Sequence, residues 1–444
     1  MAEQPQPTQL WQTVPPVEFT PKLSDNTQVQ ALLINARQGI GFAIAAGQVS
    51  HGIHSRATHL LLDFTAQGCA VRYQIDGQWE QLPPLDRESG DAMLYALKQL
   101  TLLNPADRRS AQAGSVKVKL AKAKFNLTLQ SQGVPTGERV LLKIDSENVP
   151  FERLGDLGMR DKMIETFKQT IDGEGNIVLI TAPTTEGLTT TWNVAIQAAD
   201  RLVRDFQSFE PKGSPEPEII NINPNFYGGD TGLTLADSVR KAILKEPDVF
   251  MFPTLPDPEI MGTVLKQVST HEKQAILRMN AGGAIEGVAR LMAQYPEQKS
   301  AIASTLGCVL GQRLVRRLCD NCKLGFQPPP QLLQQLGIPP GRVTMMYQPF
   351  VPPPIEQQVD EQGRPAPITP CHVCQGRGYM GRTAIFELLT PGEKFRDAMQ
   401  KTQDMGQLTA IARSEGFRPV QTEAVLTVAR GLTSLDELKR AFSR

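Results

Sequence analysis

No apolar run in this 444-residue chain approaches the roughly 20 residues that a bilayer-spanning helix needs. The first ten residues, Met-Ala-Glu-Gln-Pro-Gln-Pro-Thr-Gln-Leu, lack both the charged and the apolar segment of a signal peptide. An excess of one charge is missing too. Lysine plus arginine and aspartate plus glutamate number 46 each, so no overall field draws the protein to nucleic acid or an anionic membrane. Six cysteines are too few for an oxidised scaffold. What remains is a globular protein with 40% apolar and 21% charged residues. Its length suits about two to four domains that each bury a core. The simplest location for it is the cytoplasm.

The stretch around which the chain is organised is 176–195. Ile177 to Ile180 reads as a buried strand, a turn-rich loop follows, and a helix opens on Thr189, Thr190 and Thr191. Strand, loop, helix is the layout of a phosphate-binding loop, in which backbone N–H groups and a helix N-terminus cradle an anion. The chemistry calls for Gly-x-x-x-x-Gly-Lys followed by Ser or Thr. Here the positions are Ala182, Gly187, Leu188 and Thr189, with Thr184, Thr185, Glu186 and Thr190 completing the candidate site. The lysine has become an aliphatic side chain. Glu186 adds a negative charge where phosphate should lie. Against a phosphate about 4 Å away, at an effective dielectric near 20, that contact costs on the order of 4 kcal/mol.

Taken in order, residues 1–24 are rich in Pro and Gln and are predicted to be a disordered tail. Residues 25–150 read as an α+β domain. A helical pattern spans Thr27–Gly47, broken near Gly39 and Gly41. Strands follow at Thr58–Phe64 and Ala70–Ile75, with a hairpin turn at Asp76-Gly77. A helix is predicted over Asp91–Leu102, then strands at Val116–Leu120, Asn126–Gln130 and Arg139–Ile144. Lys117, Lys119, Lys122 and Lys124 could form an anion-binding face, but a solvated strand face is the plainer reading. Residues 151–318 alternate helix and strand in the manner of a mostly parallel sheet. They include a long helix read over Trp192–Phe206 and buried strands at Glu218–Asn223, Val249–Phe252 and Gln274–Leu277. Residues 327–370 are Pro-rich and read as a loop with a short helix near Leu332–Leu336. Helical periodicity returns from Lys394, with breaks at Gly416 and Gly431.

Two Cys-x-x-Cys pairs, Cys319/Cys322 and Cys371/Cys374, can each present two thiolates to one ion, and together they close a tetrahedral zinc site. Redox pairs or unrelated thiols are the alternatives, and neither pair sits in a thioredoxin-like βαβ setting. Four cysteine ligands make such a site structural. Cys69 and Cys308 read as buried thiols, and His372 as a surface residue.

These elements resemble the ATPases of type II secretion and type IV pilus assembly, from about Ala57 to the C-terminus. The resemblance rests on Val71–Gly77, Thr136–Ile144, the linker Phe151–Gly155, Gln312–Cys322, and Cys371–Cys374 followed by Gly376–Glu387. It implies an α/β fold: a RecA-like P-loop-type domain (151–318) behind the N-terminal α+β domain. A zinc-ribbon insert (319–384) and a helical C-terminal subdomain (385–444) complete it. It also implies hexameric rings, ATP with Mg²⁺, and inner-membrane platform partners. With only a short tail and one helix before the first strands, the family's extra N-terminal docking domain is expected to be missing. At the catalytic stations the match fails. The Walker B glutamate position holds Thr254, and the His-containing box has become Ile276-Leu277-Arg278-Met279-Asn280. No carboxylate lies between Glu218 and Asp230, where an acidic pair is expected. Ser115 and Thr128 stand at the places of arginines lent to a neighbouring site. Phosphoryl transfer depends on positioning and charge stabilisation, so the joint losses predict a non-hydrolysing pseudo-ATPase with doubtful ATP and Mg²⁺ binding. It would serve as a structural or regulatory subunit beside platform proteins or an intact ATPase paralogue, peripheral to the inner membrane. The alternatives are an active divergent ATPase and a zinc-ribbon nucleic-acid binder, the latter suggested by Arg313, Arg316, Arg317 and Lys323. Neutral net charge disfavours nucleic acid.

Overall fold

The computed structural model describes residues 10–147, 151–350, 352–353, 358, 364, 366 and 368–443. The chain forms two compact units, Met1–Pro150 and Phe151–Arg444. In the first unit the elements are β1 (Glu18–Pro21), α1 (Asn26–Arg37), α2 (Ile40–His54), β2 (Ala57–Thr65), β3 (Gly68–Ile75), β4 (Gln78–Leu85), α3 (Arg87–Leu100), β5 (Gln112–Leu120), β6 (Ala123–Val134) and β7 (Gly137–Ser146). The strands form a seven-stranded sheet in the order β1-β5-β6-β7-β2-β3-β4, antiparallel throughout. Period-two alternation puts one face of each strand into the core. Leu60, Leu62 and Phe64 of β2 meet Val71 and Tyr73 of β3 there, with Met93 and Leu97 of α3.

The predicted disordered tail needs correction for residues 10–24. Leu10–Gln12 is a short 3-10 helix, and β1 pairs with β5 through Phe19↔Val118. Val17 and Phe19 are buried in the core. Val17 just before the strand and Phe19 and Pro21 within it alternate with exposed residues and dock it on one face, and composition does not register so short a signal. The rest of the predicted tail, residues 1–9, lies outside the described residues.

The second unit contains α4 (Asp161–Ile171), β8 (Ile177–Ala182), α5 (Leu188–Ala198), β9 (Phe206–Pro211), β10 (Ile222–Tyr227), α6 (Leu235–Ile243), β11 (Val249–Phe252), α7 (Pro258–Thr270), β12 (Gln274–Asn280), α8 (Ala284–Gln294) and α9 (Lys299–Thr305). It continues with β13 (Leu306–Leu318), β14 (Leu324–Phe326), α10 (Pro330–Gln335), β15 (Met346–Gln348), β16 (Tyr379–Leu389), α11 (Glu393–Lys401), α12 (Met405–Ser414), α13 (Val420–Ala429) and α14 (Leu435–Phe442). Its main sheet runs β10-β9-β11-β12-β8-β13-β16. All neighbours are parallel except β13 and β16. Helices cover both faces, so β8 is buried along its whole length. Ile177 and Leu179 face one apolar cluster with α7 and α8. Val178 and Ile180 face the other, with Phe167 of α4 and Trp192 of α5.

Several boundaries differ from the sequence reading. The strand read as buried over Glu218–Asn223 is β10, which begins at Ile222 and runs half-exposed to Tyr227 at the edge of the sheet. The helix after the loop ends at Ala198, and Phe206–Pro211 is a strand, not the continuation of that helix. The predicted border between residues 384 and 385 falls inside β16, where Ala384 and Ile385 both pair with β13.

Candidate functional site

Because β8, β9, β11 and β12 are parallel, their carboxyl ends open on one edge of the sheet. Open α/β sheets bind ligands at that edge. The β8 loop keeps the course of a phosphate cradle: Thr185 and Gly187 are left-handed, with φ of 67° and 82°, and Gly187 caps α5. Its chemistry is different. Ala182 is buried at the first glycine position, Thr184, Thr185 and Thr189 are exposed, and Thr190 is half-buried. Leu188 packs into the apolar cluster with Trp192 and Leu314. The Glu186 carboxylate accepts the Leu314 N–H at 2.7 Å, and its carbonyl accepts Gln312 Nε2 at 2.5 Å. Gln312 Oε1 in turn accepts the Thr191 hydroxyl. The expectation that Glu186 presents bare charge to a phosphate is therefore corrected. Its carboxylate is spent on the backbone of β13, and the loop is stitched to that strand. To a phosphate the loop offers no lysine, and its Glu186 carboxylate is held by the Leu314 N–H.

The acidic station also needs correction. The strand following α5 is β9, and it ends in Glu210-Pro211, so a carboxylate does stand at the end of that strand. Glu210 is buried, accepts the Ser208 hydroxyl at 2.6 Å and accepts the Glu216 N–H at 2.8 Å. The signal was in the sequence, masked by reading Phe206 as helix. Beside it, Arg278 of β12 binds Glu216 with both Nη atoms, at 2.9 and 2.6 Å. Thr254, after β11, is exposed. In the first unit Ser115 and Thr128 are directly opposed on β5 and β6. Sequence reasoning missed Glu216, which belongs to no readable motif, and it placed Gln312 in the motif that leads into the cysteines without foreseeing its bonds to Thr191 and Glu186.

The four cysteines of the two pairs converge, with all their sulfurs within 4.8 Å of one another. Cys319 Sγ lies 3.9 Å from Cys371 Sγ, and Cys322 Sγ lies 3.6 Å from Cys374 Sγ. A tetrahedral ion with metal–sulfur bonds of about 2.3 Å would set sulfurs about 3.8 Å apart. The first pair turns tightly, Cys322 N donating to Cys319 O, and a second turn follows Cys374, with Arg377 N donating to Cys374 O. Asn321 Nδ2 donates to Cys371 Sγ at 3.2 Å, and Gly378 N to Cys374 Sγ at 3.3 Å. The Cys374 backbone N–H and the Asn321 amide pull the Cys371 thiol down to about 6, while burial pushes Cys319 up. These residues fit a thiolate-bound metal ion. The nearby cations are committed elsewhere. Arg316 pairs with Glu437 at 2.7 Å, Lys323 with Asp320 at 2.6 Å, Arg317 with Asp320 at 3.8 Å, and Arg313 donates to Ala441 O.

Among the described residues, no helix is long and apolar enough to cross a membrane. The chain is 26% identical over 368 residues to the type IV pilus assembly ATPase PilB of Thermus thermophilus, covering 83% of this chain and 39% of that protein. With type II secretion system protein E of Xanthomonas campestris it shares 24% over 397 residues, covering 88% and 65%. The protein transport protein HofB homolog of Escherichia coli is 27% identical over 395 residues, covering 88% and 79%. The chain thus spans only part of the length of these relatives. The fold is that of the Legionella pneumophila ATPase DotB, with a TM-score of 0.55 at 14% identity, covering 89% of this chain and 94% of that one. The pilus retraction motor PilT with bound ADP superposes at a TM-score of 0.50 and 16% identity, covering 89% and 96%. Residues 40–440 match the Type II/IV secretion system protein family, and the chain belongs to it.

Proposed function

We propose that the chain is a non-hydrolysing member of this family, a structural or regulatory subunit of a secretion or pilus machine. The observation that carries this reading is the closed β8 loop: Leu188 sits in the apolar cluster and Glu186 is bonded to β13. Hydrolysis needs a lysine and a metal held by hydroxyl and carboxylate, and Thr254 offers no carboxylate. With the fold kept and the chemistry lost, binding is the function. The partners are inner-membrane platform proteins or an intact ATPase paralogue in a hexameric ring, which would hold the protein at the membrane's cytoplasmic face. The cysteine cluster holds structural zinc. One observation favours the runner-up, an active divergent ATPase: Glu210 stands at the end of β9.

Phosphate release by the purified chain decides between them. The expected result is no turnover above background. Hydrolysis that disappears in Thr189→Ala would overturn the proposal. Size analysis with platform cytoplasmic domains and with the paralogue tests partnership, and a monomer that binds neither removes its support.

A further inference from the structure

The first unit carries a cleft of about 600 Å³ where two hairpin tips lie side by side, lined by Arg87, Arg108, Arg109, Glu138 and the 133–137 hairpin. Its arginines are held in different ways. Arg108 Nε donates to Glu138 at 2.9 Å, Nη1 lies 2.8 Å from Asp91, and the guanidinium stacks 5.5 Å from the Phe64 ring centroid. Arg87 Nε donates to Asp91 at 2.6 Å, and Nη1 donates to Thr65 O. The Arg109 side chain is exposed, and no ion pair or hydrogen bond engages it among the described residues. Its backbone is pinned nonetheless, accepting Gly133 N at 3.2 Å and donating to Asp107 at 3.0 Å. A Cβ on Gly133 would lie 2.8 Å from Arg109 Cα, so glycine permits this approach.

Behind the cleft, Lys98 and Glu138 form a fully buried ion pair at 2.5 Å. Lys98 also donates to Asp107 O at 2.6 Å, and Ser131 donates to Glu138. A buried pair of this kind is weak evidence for stability and better evidence for fixed geometry. Here it fixes Glu138, and Glu138 fixes Arg108. Each guanidinium has five donors, so Arg87 and Arg108 keep unused N–H groups and Arg109 keeps all of its own.

From this arrangement we infer that the cleft binds the phosphate group of a small organic phosphate, such as a nucleotide. Several guanidiniums at one cleft suit a phosphate, which offers three terminal oxygens where a carboxylate offers two. The volume lies within the range of small-molecule sites. The inference does not depend on the state of the β8 loop, which is in the other unit. It gives a chain without a working nucleotide loop a separate place to sense a phosphorylated effector.

The test is calorimetric titration of the full chain with pyrophosphate, with AMP, and with succinate as the carboxylate control, at low salt. Pyrophosphate and AMP are expected to bind, and succinate more weakly. Arg109→Glu should weaken binding at least about tenfold, the size expected for loss of a charge-assisted contact, with unchanged circular dichroism. Arg87→Ala should act in the same direction. Lys117→Glu, on an exposed strand face of the same unit, should leave it unchanged. Absence of binding at millimolar ligand, equal binding of succinate, or equal loss in Arg109→Glu and Lys117→Glu would each overturn the assignment.

Discussion

Arg278 and Glu216 meet through two parallel hydrogen bonds, Nη1 to Oε2 at 2.9 Å and Nη2 to Oε1 at 2.6 Å. Arg278 Nε reaches Pro253 O at 2.9 Å, and the guanidinium lies 5.4 Å from the Trp192 ring centroid. One side chain thus ties together the ends of β9, β11 and β12 and the body of α5. This is the edge at which a sheet of this kind would receive a ligand. Arg278 stands in the box where the family resemblance calls for a histidine, and the protein uses it as an internal fastener.

The first prediction tests that fastener. Both side chains are only about one-seventh exposed, 15% and 14%, so removing either leaves the other poorly solvated. Arg278→Ala and Glu216→Ala should each lower stability by about 2–3 kcal/mol, the scale for breaking a charged, largely buried hydrogen-bond pair. The double variant should cost less than their sum, because the pair is one unit. Urea midpoints for the four proteins measure this. Strict additivity would show that the fork contributes nothing.

How far these features were legible depended on apolar pattern. β8, β11 and β12 carry runs such as Ile177–Ile180 and Val249–Phe252, and were read as strands. Asp76-Gly77 also announced its hairpin, both residues having positive φ of 48° and 81°. β9 failed because Gln207, Ser208 and Glu210 interrupt its run. They are buried in a central strand yet satisfied locally, Gln207 by Asp205 and Ser208 by Glu210. That single misreading hid the carboxylate at its end. The four cysteines were legible because Cys-x-x-Cys spacing carries the geometry itself. Gln312 stood in a recognised motif, but its bonds to the loop were not legible, because they arise from the register of β13 beside β8.

The second prediction concerns the metal. One zinc ion per chain is expected in metal analysis, and Cys371→Ser should contain none. Stripping the ion should loosen more than the cysteine turns, because Lys323 N and Nζ join Cys319 O to Gly431 O, and Leu318 N donates to Leu432 O. Chelator should therefore lower the melting temperature and raise hydrogen exchange in α13 and α14. Well-folded wild type without zinc would end this reading.

The third prediction is a pH dependence. Glu437 is fully buried. Burial raises its carboxyl pKa, but hydrogen bonds from Arg440 and Arg316 outweigh that effect and hold it below the ordinary 4.5. A carboxylate lowered on folding contributes stability that is fully present above its unfolded pKa. That contribution is lost as pH falls through the folded value. Stability should therefore decline below about pH 4.5, and Glu437→Gln should flatten part of that slope. At neutral pH the same substitution should cost about 3 kcal/mol, since it leaves two guanidiniums without their charge partner. An unchanged acid limb in the variant would assign the slope to other carboxylates.

The fourth prediction is that restoring the loop lysine does not restore hydrolysis. In Leu188→Lys the new ammonium would start within an apolar cluster and must leave it to meet phosphate. The loop would still be held by the Glu186–Leu314 and Gln312 bonds. Adding Glu186→Gly releases one of these and removes the competing charge, so the double variant should gain measurable ATP affinity over wild type. Turnover should stay at background in both variants. The end of β11 presents exposed Thr254 in place of a carboxylate, and Arg278 is engaged with Glu216 instead of a reacting water. Equilibrium binding and phosphate release, measured together, separate the two effects. Hydrolysis by Leu188→Lys alone would mean that the remaining stations are intact in function, and the protein would have to be regarded as an ATPase one residue short of activity.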